Sequence, residues 1–230
     1  MSVTIRLPFL PLLCISFLLS ACAIDETIDV DQDSIFTEYQ LVYDASKNST
    51  MASAIFRFEG QQGTVLELSD PAEVTVKQEP MTWKAAKGQY EREWDGKDSL
   101  SIFAYHDLNN NTFSNTVLMA ADIAVPQSLL NISKAEELML EWEGKELATN
   151  ESVVVTIFGA GQNNGKVFTQ TSPAATSITL DQGKLKDLAE GEGSILIERW
   201  AVQVQEEGSR VGGATSSRYL AKPVRVMIGQ

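Results

Sequence analysis

A chain of 230 residues, 43% of them hydrophobic, is long enough to bury one large core or two small ones and too apolar to stay disordered. Its formal net charge of −13 argues against binding to nucleic-acid backbones, which need a basic footprint, and opposes adsorption to anionic lipid. Both cysteines, Cys14 and Cys22, lie within the first 22 residues, so the rest of the chain has no disulfide, thiol nucleophile or thiolate metal ligand.

Residues 1–21 read as an export signal. Arg6 supplies the positive start, and the apolar run from Leu7 to Leu19 is too short to cross a hydrocarbon core of roughly 30 Å as a helix. Pro8 and Pro11 weaken a helix there further. The run ends in small residues, Leu19-Ser20-Ala21-Cys22, which resemble the lipobox of bacterial lipoproteins. That resemblance implies a thioether-linked diacylglyceryl group on the Cys22 sulfur, cleavage between Ala21 and Cys22, and acylation of the freed amine. Cysteine suits this role because sulfur is the soft nucleophile that forms the thioether. A buried methylene contributes about 0.8 kcal/mol, so one acyl chain anchors marginally and two or three hold firmly. The alternative is ordinary signal cleavage at Ala21-Cys22-Ala23, which releases a chain starting at Ile24. Ala23 stands where enteric lipoproteins kept in the inner membrane carry aspartate, which implies sorting to the outer membrane. Residues 22–34 then form the lipidated cysteine and an acidic tether, because "IDETIDVDQDS" carries five carboxylates and no basic residue.

From Ile35 onward short runs alternate in polarity with period two and are punctuated by Gly, Asn, Asp and Pro, the signature of strands. The first set runs "IFTEYQLVYD" (35–44), "MASAIFRFE" (51–59), "TVLELS" (64–69), "EVTVKQ" (73–78), "QYEREWD" (89–95), "LSIFAYHD" (100–107), "TFSNTVLM" (112–119) and "ADIAV" (121–125). In the second of these Ala52, Ala54, Phe56 and Phe58 share a face. Pro126 to Lys134 reads as a junction. A second set follows: "ELMLEWEG" (137–144), "SVVVTIFG" (152–159), "KVFTQT" (166–171), "TSITLD" (176–181), "SILIERWAVQVQ" (194–205) and "SRYLAKPVRVMI" (217–228). Leu185 and Leu188 within "DQGKLKDLAEG" predict one or two helical turns.

This pattern predicts an all-β protein: residues 35–125 and 126–230 as two antiparallel β-sandwich domains. It resembles the immunoglobulin-like modules of bacterial surface and periplasmic lipoproteins. Trp83 or Trp94 is expected to centre the first core, and Trp142 or Trp200 the second.

Few constellations point to chemistry. Gly159-Ala160-Gly161 follows a strand as in a dinucleotide site, but the next glycine is Gly165 and a strand-like run follows, so no helix N-terminus is expected to hold a pyrophosphate. Asn163-Asn164-Gly165 reads instead as a hairpin turn, and no nucleotide partner is expected. Asp107, Asn109 and Asn111 echo the opening of a calcium loop, but Thr112 and Leu118 replace its glycine and bidentate glutamate. His106 is the only histidine, and no G-x-S-x-G elbow accompanies it. Carboxylates at Glu136, Glu137, Glu141, Glu143, Glu190, Glu192, Glu206 and Glu207 are too common to single out a glycosidase pair.

The expectation is therefore an outer-membrane lipoprotein, not an enzyme, anchored to membrane lipid through Cys22 and using no cofactor or metal. It binds or scaffolds an envelope protein or a glycan, with the folded part in the periplasm or at the cell surface. The alternatives are a carbohydrate-binding or carbohydrate-processing accessory protein built on exposed aromatics, and a small-ligand carrier formed by a single β-barrel.

Overall fold

A computed structural model describes residues 24–129 and 131–229. The signal segment, Ala21 and Cys22 lie outside the described residues. In the first half the strands are β1 (Ile24–Glu26), β2 (Ile35–Asp44), β3 (Ser49–Phe58), β4 (Val65–Glu67), β5 (Glu73–Val76), β6 (Glu79–Pro80), β7 (Thr82–Lys84), β8 (Gln89–Asp95), β9 (Leu100–His106) and β10 (Thr112–Leu118). In the second half they are β11 (Ile123–Ala124), β12 (Asn131–Ser133), β13 (Leu138–Glu141), β14 (Glu143–Gly144), β15 (Glu151–Phe158), β16 (Lys166–Gln170) and β17 (Ser177–Leu180). One helical turn, α1 (Gln182–Leu185), precedes β18 (Gly191–Gln203), β19 (Gly213–Leu220) and β20 (Val224–Gly229).

The chain forms the all-β sandwich architecture that its alternation predicts, around two cores. The first draws on the inward positions of β2 and β3 (Tyr39, Leu41, Ala52, Ala54, Phe56) and of β5 and β9 (Val74, Val76, Phe103, Tyr105). The second draws on β15 and β18 (Val153, Val155, Ile157, Ile195, Ile197) against Leu140, Trp142, Ile178 and Leu180. Leu185 and Leu188 of the predicted helical turn plug its end.

The two cores share one backbone scaffold. A 12-stranded sheet runs β1-β4-β3-β2-β19-β18-β15-β16, with β8 also on β3, β7 on β8, β20 on β18 and β12 on β20. A separate sheet, β10-β9-β5-β6, covers the first core, and the two-stranded pair β13-β17 covers the second. Most pairings are antiparallel, but β1–β4, β12–β20 and β19–β2 are parallel. The last of these joins the halves: Gly213 to Leu220 pair in register with Thr37 to Asp44. The large sheet is an open path between the edge strands β1 and β16, so the single closed barrel is not formed.

Three local expectations are corrected. Residues 24–34 are not a solvated tether. β1 pairs with β4, Thr27 is fully buried, and the Gln32 amide donates to the carbonyls of Thr27 (2.7 Å) and Val30 (3.1 Å). The segment's carboxylates point to water, while its backbone finds partners on an open sheet edge, so order here needs little apolar burial. The run 217–228 is two strands, broken at Pro223, which cannot donate to a ladder. β19 goes to β2 of the first half, and β20 goes to the second core. "ELMLEWEG" also splits, with β13 and β14 in different sheets on either side of Trp142.

Tyrosines, not tryptophans, centre the first core. Tyr39 stacks on Phe103 with 4.9 Å between ring centroids, and Tyr105 packs on Phe56 at 4.6 Å. Trp83 and Trp94 pack at its margin, half-buried. Burial pushes the phenols of Tyr39 and Tyr105 well above the usual tyrosine range, with the Asp107 carboxylate adding to the effect on Tyr105. Burial also pushes Tyr90 up to about 12, against the opposing hydrogen bond from the Leu68 amide. A phenol whose folded pKa is raised stabilises the fold fully below its unfolded value of about 10, and that contribution is lost as pH rises through the folded value. Alkaline titration of phenolate absorbance in the native protein should therefore lag the same titration in denaturant, and stability should fall from about pH 10 upward. Coincident native and denatured titrations would contradict this packing.

Candidate functional site

The residues singled out by sequence pattern do not converge. Asp107 is buried, and its carboxylate is spent on its own hairpin. Oδ1 accepts from the amides of Asn109 (2.9 Å) and Asn111 (2.8 Å), and Oδ2 accepts from the Asn111 side chain (3.0 Å). Asn110 sits at φ 64°, as this turn requires. Asp107, Asn109 and Asn111 thus close a loop on themselves, and among the described residues no group of three or more His, Cys, Asp and Glu side chains is placed to hold a metal ion. His106 Nδ1 lies 3.1 Å from Thr112 Oγ1 across the β9–β10 pair, and it makes no hydrogen bond with the carboxylate of its neighbour Asp107. Gly159 to Gly165 form the β15–β16 hairpin, as expected, with Ala160 bonded to the Ala189 carbonyl. The glutamates considered as acid–base pairs are exposed, and Glu190 and Glu192 take Lys134 and Arg225 as salt-bridge partners.

Trp83, Trp94 and Trp142 pack on the two cores, and Trp200 is half-buried outside them. Trp142 belongs to the second core, and its indole donates to the Lys145 carbonyl (3.2 Å). Trp83 leans on Tyr90, and Lys77 covers Trp94 at 4.8 Å. Of the two tryptophans expected to offer a centre for the second core Trp142 takes the place, and Trp200 lies on the opposite face of the large sheet from both cores. Its ring is flanked by the Arg218 guanidinium at 4.9 Å, so this indole offers no flat open platform for a sugar.

The structure builds a different feature, at the seam where the two cores meet. A cleft of about 620 Å³ has Glu151, Arg199, Ala201 and Gln203 as its floor. Leu118, Met119, Ala120 and Ala121 form one wall, and Lys145 to Ala148 the other. Arg199 is 2% exposed. Its Nη1 donates to the Lys145 carbonyl (2.7 Å), and its Nη2 donates to the Glu146 carbonyl (2.7 Å) and pairs with Glu151. Glu151 also accepts from the Ala148 amide (2.8 Å). The ion pair therefore fixes one wall of the cleft to its floor.

The other wall is held by amides. Gln203 Oε1 accepts from the Leu118 N–H (2.8 Å), and its Nε2 donates to the Leu118 carbonyl (2.7 Å), imitating a ladder partner at the end of β10. Asn115, almost fully buried, bonds the backbone of Glu206 and Glu207 in the same way. Gln205 donates to Thr37 Oγ1 (2.6 Å), and Ser209 donates to the Ile35 carbonyl (2.6 Å). These bonds close the β10 edge and clamp the β18–β19 connection onto the first half. With the main floor and wall polar groups so engaged, and four alanines leaving room, the cleft presents a largely apolar lining.

Sequence reading missed this site, though one signal was available. In "SILIERWAVQVQ" the parity that carries Ile195 and Ile197 also carries Arg199, and a charge on a buried parity has to be paired.

No family model matches the chain, and no curated protein matches it in sequence. Two solved structures are similar in part. One comes from work on host cell surface retention of a 1.5-MDa bacterial ice-binding adhesin: TM-score 0.26, 8% identity, covering 87% of this chain and 67% of that one. The other is the pair of tandem V-type regions of VCBP3, a v-region-containing chitin binding protein: TM-score 0.23, 7% identity, covering 82% of this chain and 99% of that one. Likenesses at this level carry no argument about this protein.

Proposed function

We propose that the protein is a lipid-anchored component of the bacterial outer membrane, held by Cys22, with a non-catalytic binding or scaffolding role. The observation that carries the binding role is the seam cleft. Its lining is largely apolar, and its floor charges, Arg199 and Glu151, are locked into one internal ion pair, which leaves a shape to fill with Lys145 and Glu146 on one wall. The largely apolar lining favours a polypeptide partner over a glycan, which would find only the Lys145 and Glu146 side chains as charged partners on the walls.

The anchor and the cleft are tested separately. Cys22→Ser should move the protein from the membrane fraction to the soluble fraction, and intact-mass analysis of the parent should show the added lipid. A variant that sediments with membranes as the parent does would refute the anchor. Ala148→Trp, at the exposed rim of the cleft, should abolish cross-linking to an envelope partner, while Met139→Trp, on the exposed face of β13, should not. Equal cross-linking in both would refute the cleft.

A further inference from the structure

The order found in residues 24–34 sets how an anchored molecule sits on its bilayer. Ile24 is already in strand β1, paired with Val65, and Asp25 and Glu26 pair with Leu66 and Glu67. Thr27 is buried and accepts from the Ser69 amide (2.9 Å), and the Ile28 amide reaches the Ser69 hydroxyl (3.2 Å). Two residues span at most about 7 Å, so a lipid on Cys22 is that close to a pinned sheet edge. A solvated leash of eleven residues is not available. At this edge two large aliphatic side chains face outward: Ile24 is 42% exposed and Ile28 64%.

We infer that the β1 edge of the sandwich rests directly on the phospholipid surface, with Ile24 and Ile28 in the headgroup region and the sheet rising strand by strand away from it. This rests on the proposal that Cys22 is lipidated. The carboxylates of Asp25, Glu26 and Asp29 flank the two isoleucines, so the surface suits zwitterionic headgroups, whose ammonium groups can pair with them, and disfavours anionic ones. β16 lies seven strand steps from β1 along the large sheet. At roughly 4.8 Å a step, Val167 on β16 stands on the order of 30 Å above the contact. The seam cleft, floored by β18 and β15, is carried well clear of the bilayer and is open to a partner.

The sequence makes the test clean, because no cysteine follows Cys22. Lipidated protein carrying Ile28→Cys or Val167→Cys is labelled with an environment-sensitive fluorophore. It is then bound to vesicles of phosphatidylethanolamine and phosphatidylcholine containing a headgroup-nitroxide lipid. The label at position 28 should lose most of its emission, and the label at 167 should keep it. Inserting about twelve Gly/Ser residues after Ala23 should restore emission at 28. If the protein floats with vesicles but the label at 28 is as bright as that at 167, the contact is wrong while the anchor stands. Quenching at both positions would mean the sheet lies flat, which also overturns the inference. Protein that carries no lipid mass and does not float removes the anchor, and this arrangement with it.

Discussion

Arg199→Ala is expected to destabilise the protein by about 3–5 kcal/mol, the usual result of breaking a buried ion pair by deleting one partner. The reason lies in what remains. Glu151, with a side chain 11% exposed, would keep only the Ala148 amide, the Glu146 carbonyl would lose its donor, and the Lys145 carbonyl would keep only the Trp142 indole. The urea midpoint should fall with little change in slope, since the surface exposed on unfolding is unchanged. Replacing both members, Arg199→Met with Glu151→Met, should recover most of the loss, because no uncompensated charge is then left in the seam. If the single and double variants are equally unstable, packing of the arginine stem matters more than the pair.

Gly213→Ala should cost about 1–3 kcal/mol despite adding a single methyl group. A Cβ at Gly213 would stand 1.8 Å from Gln205 Oε1 and 2.3 Å from the Thr37 carbonyl. The second obstacle is backbone in the register partner of Gly213, and it cannot swing aside. The first is the amide that clamps the β18–β19 connection to Thr37. One substitution thus pushes apart the strands that join the halves. Gly229→Ala is the control: its Cβ would meet nothing within 4 Å, and a change of less than about 0.5 kcal/mol is expected. Thermal melts of the two variants side by side check the contrast.

How much of this was legible in the sequence depends on whether the determinant is local. The strands β2, β3, β8, β9, β15 and β16 follow from period-two alternation, and the faces agree: Ala52, Ala54 and Phe56 are all fully buried. The helical turn follows from Leu185 and Leu188. Partnership between strands is not local. Nothing in "GATSSRYL" identifies a partner more than 170 residues away, and its inward Thr215 and Ser217 gave no apolar face to read. The seam is polar because it lies between two cores and is filled by Thr215, Ser217, Gln203 and Asn115, residues that read as surface in a linear chain. The acidic stretch 24–34 reads as a tether because composition reports side-chain burial, whereas its order comes from backbone pairing to a free edge. Residue type alone leaves Trp142 and Trp200 as equal choices for the second core, and parity in β18, where Trp200 alternates with Ile197 and Arg199, decides for Trp142.

Two hydrophobic cores share one sheet and should behave as one folding unit. Two variants test it most directly, one retaining only Trp94 at the first core and one only Trp142 in the second, unfolded in urea and followed by fluorescence. A single transition with the same midpoint and slope is expected from either probe. Separated midpoints, with one core unfolding while the other stays intact, would show that the β2–β19 pairing does not hold the halves together.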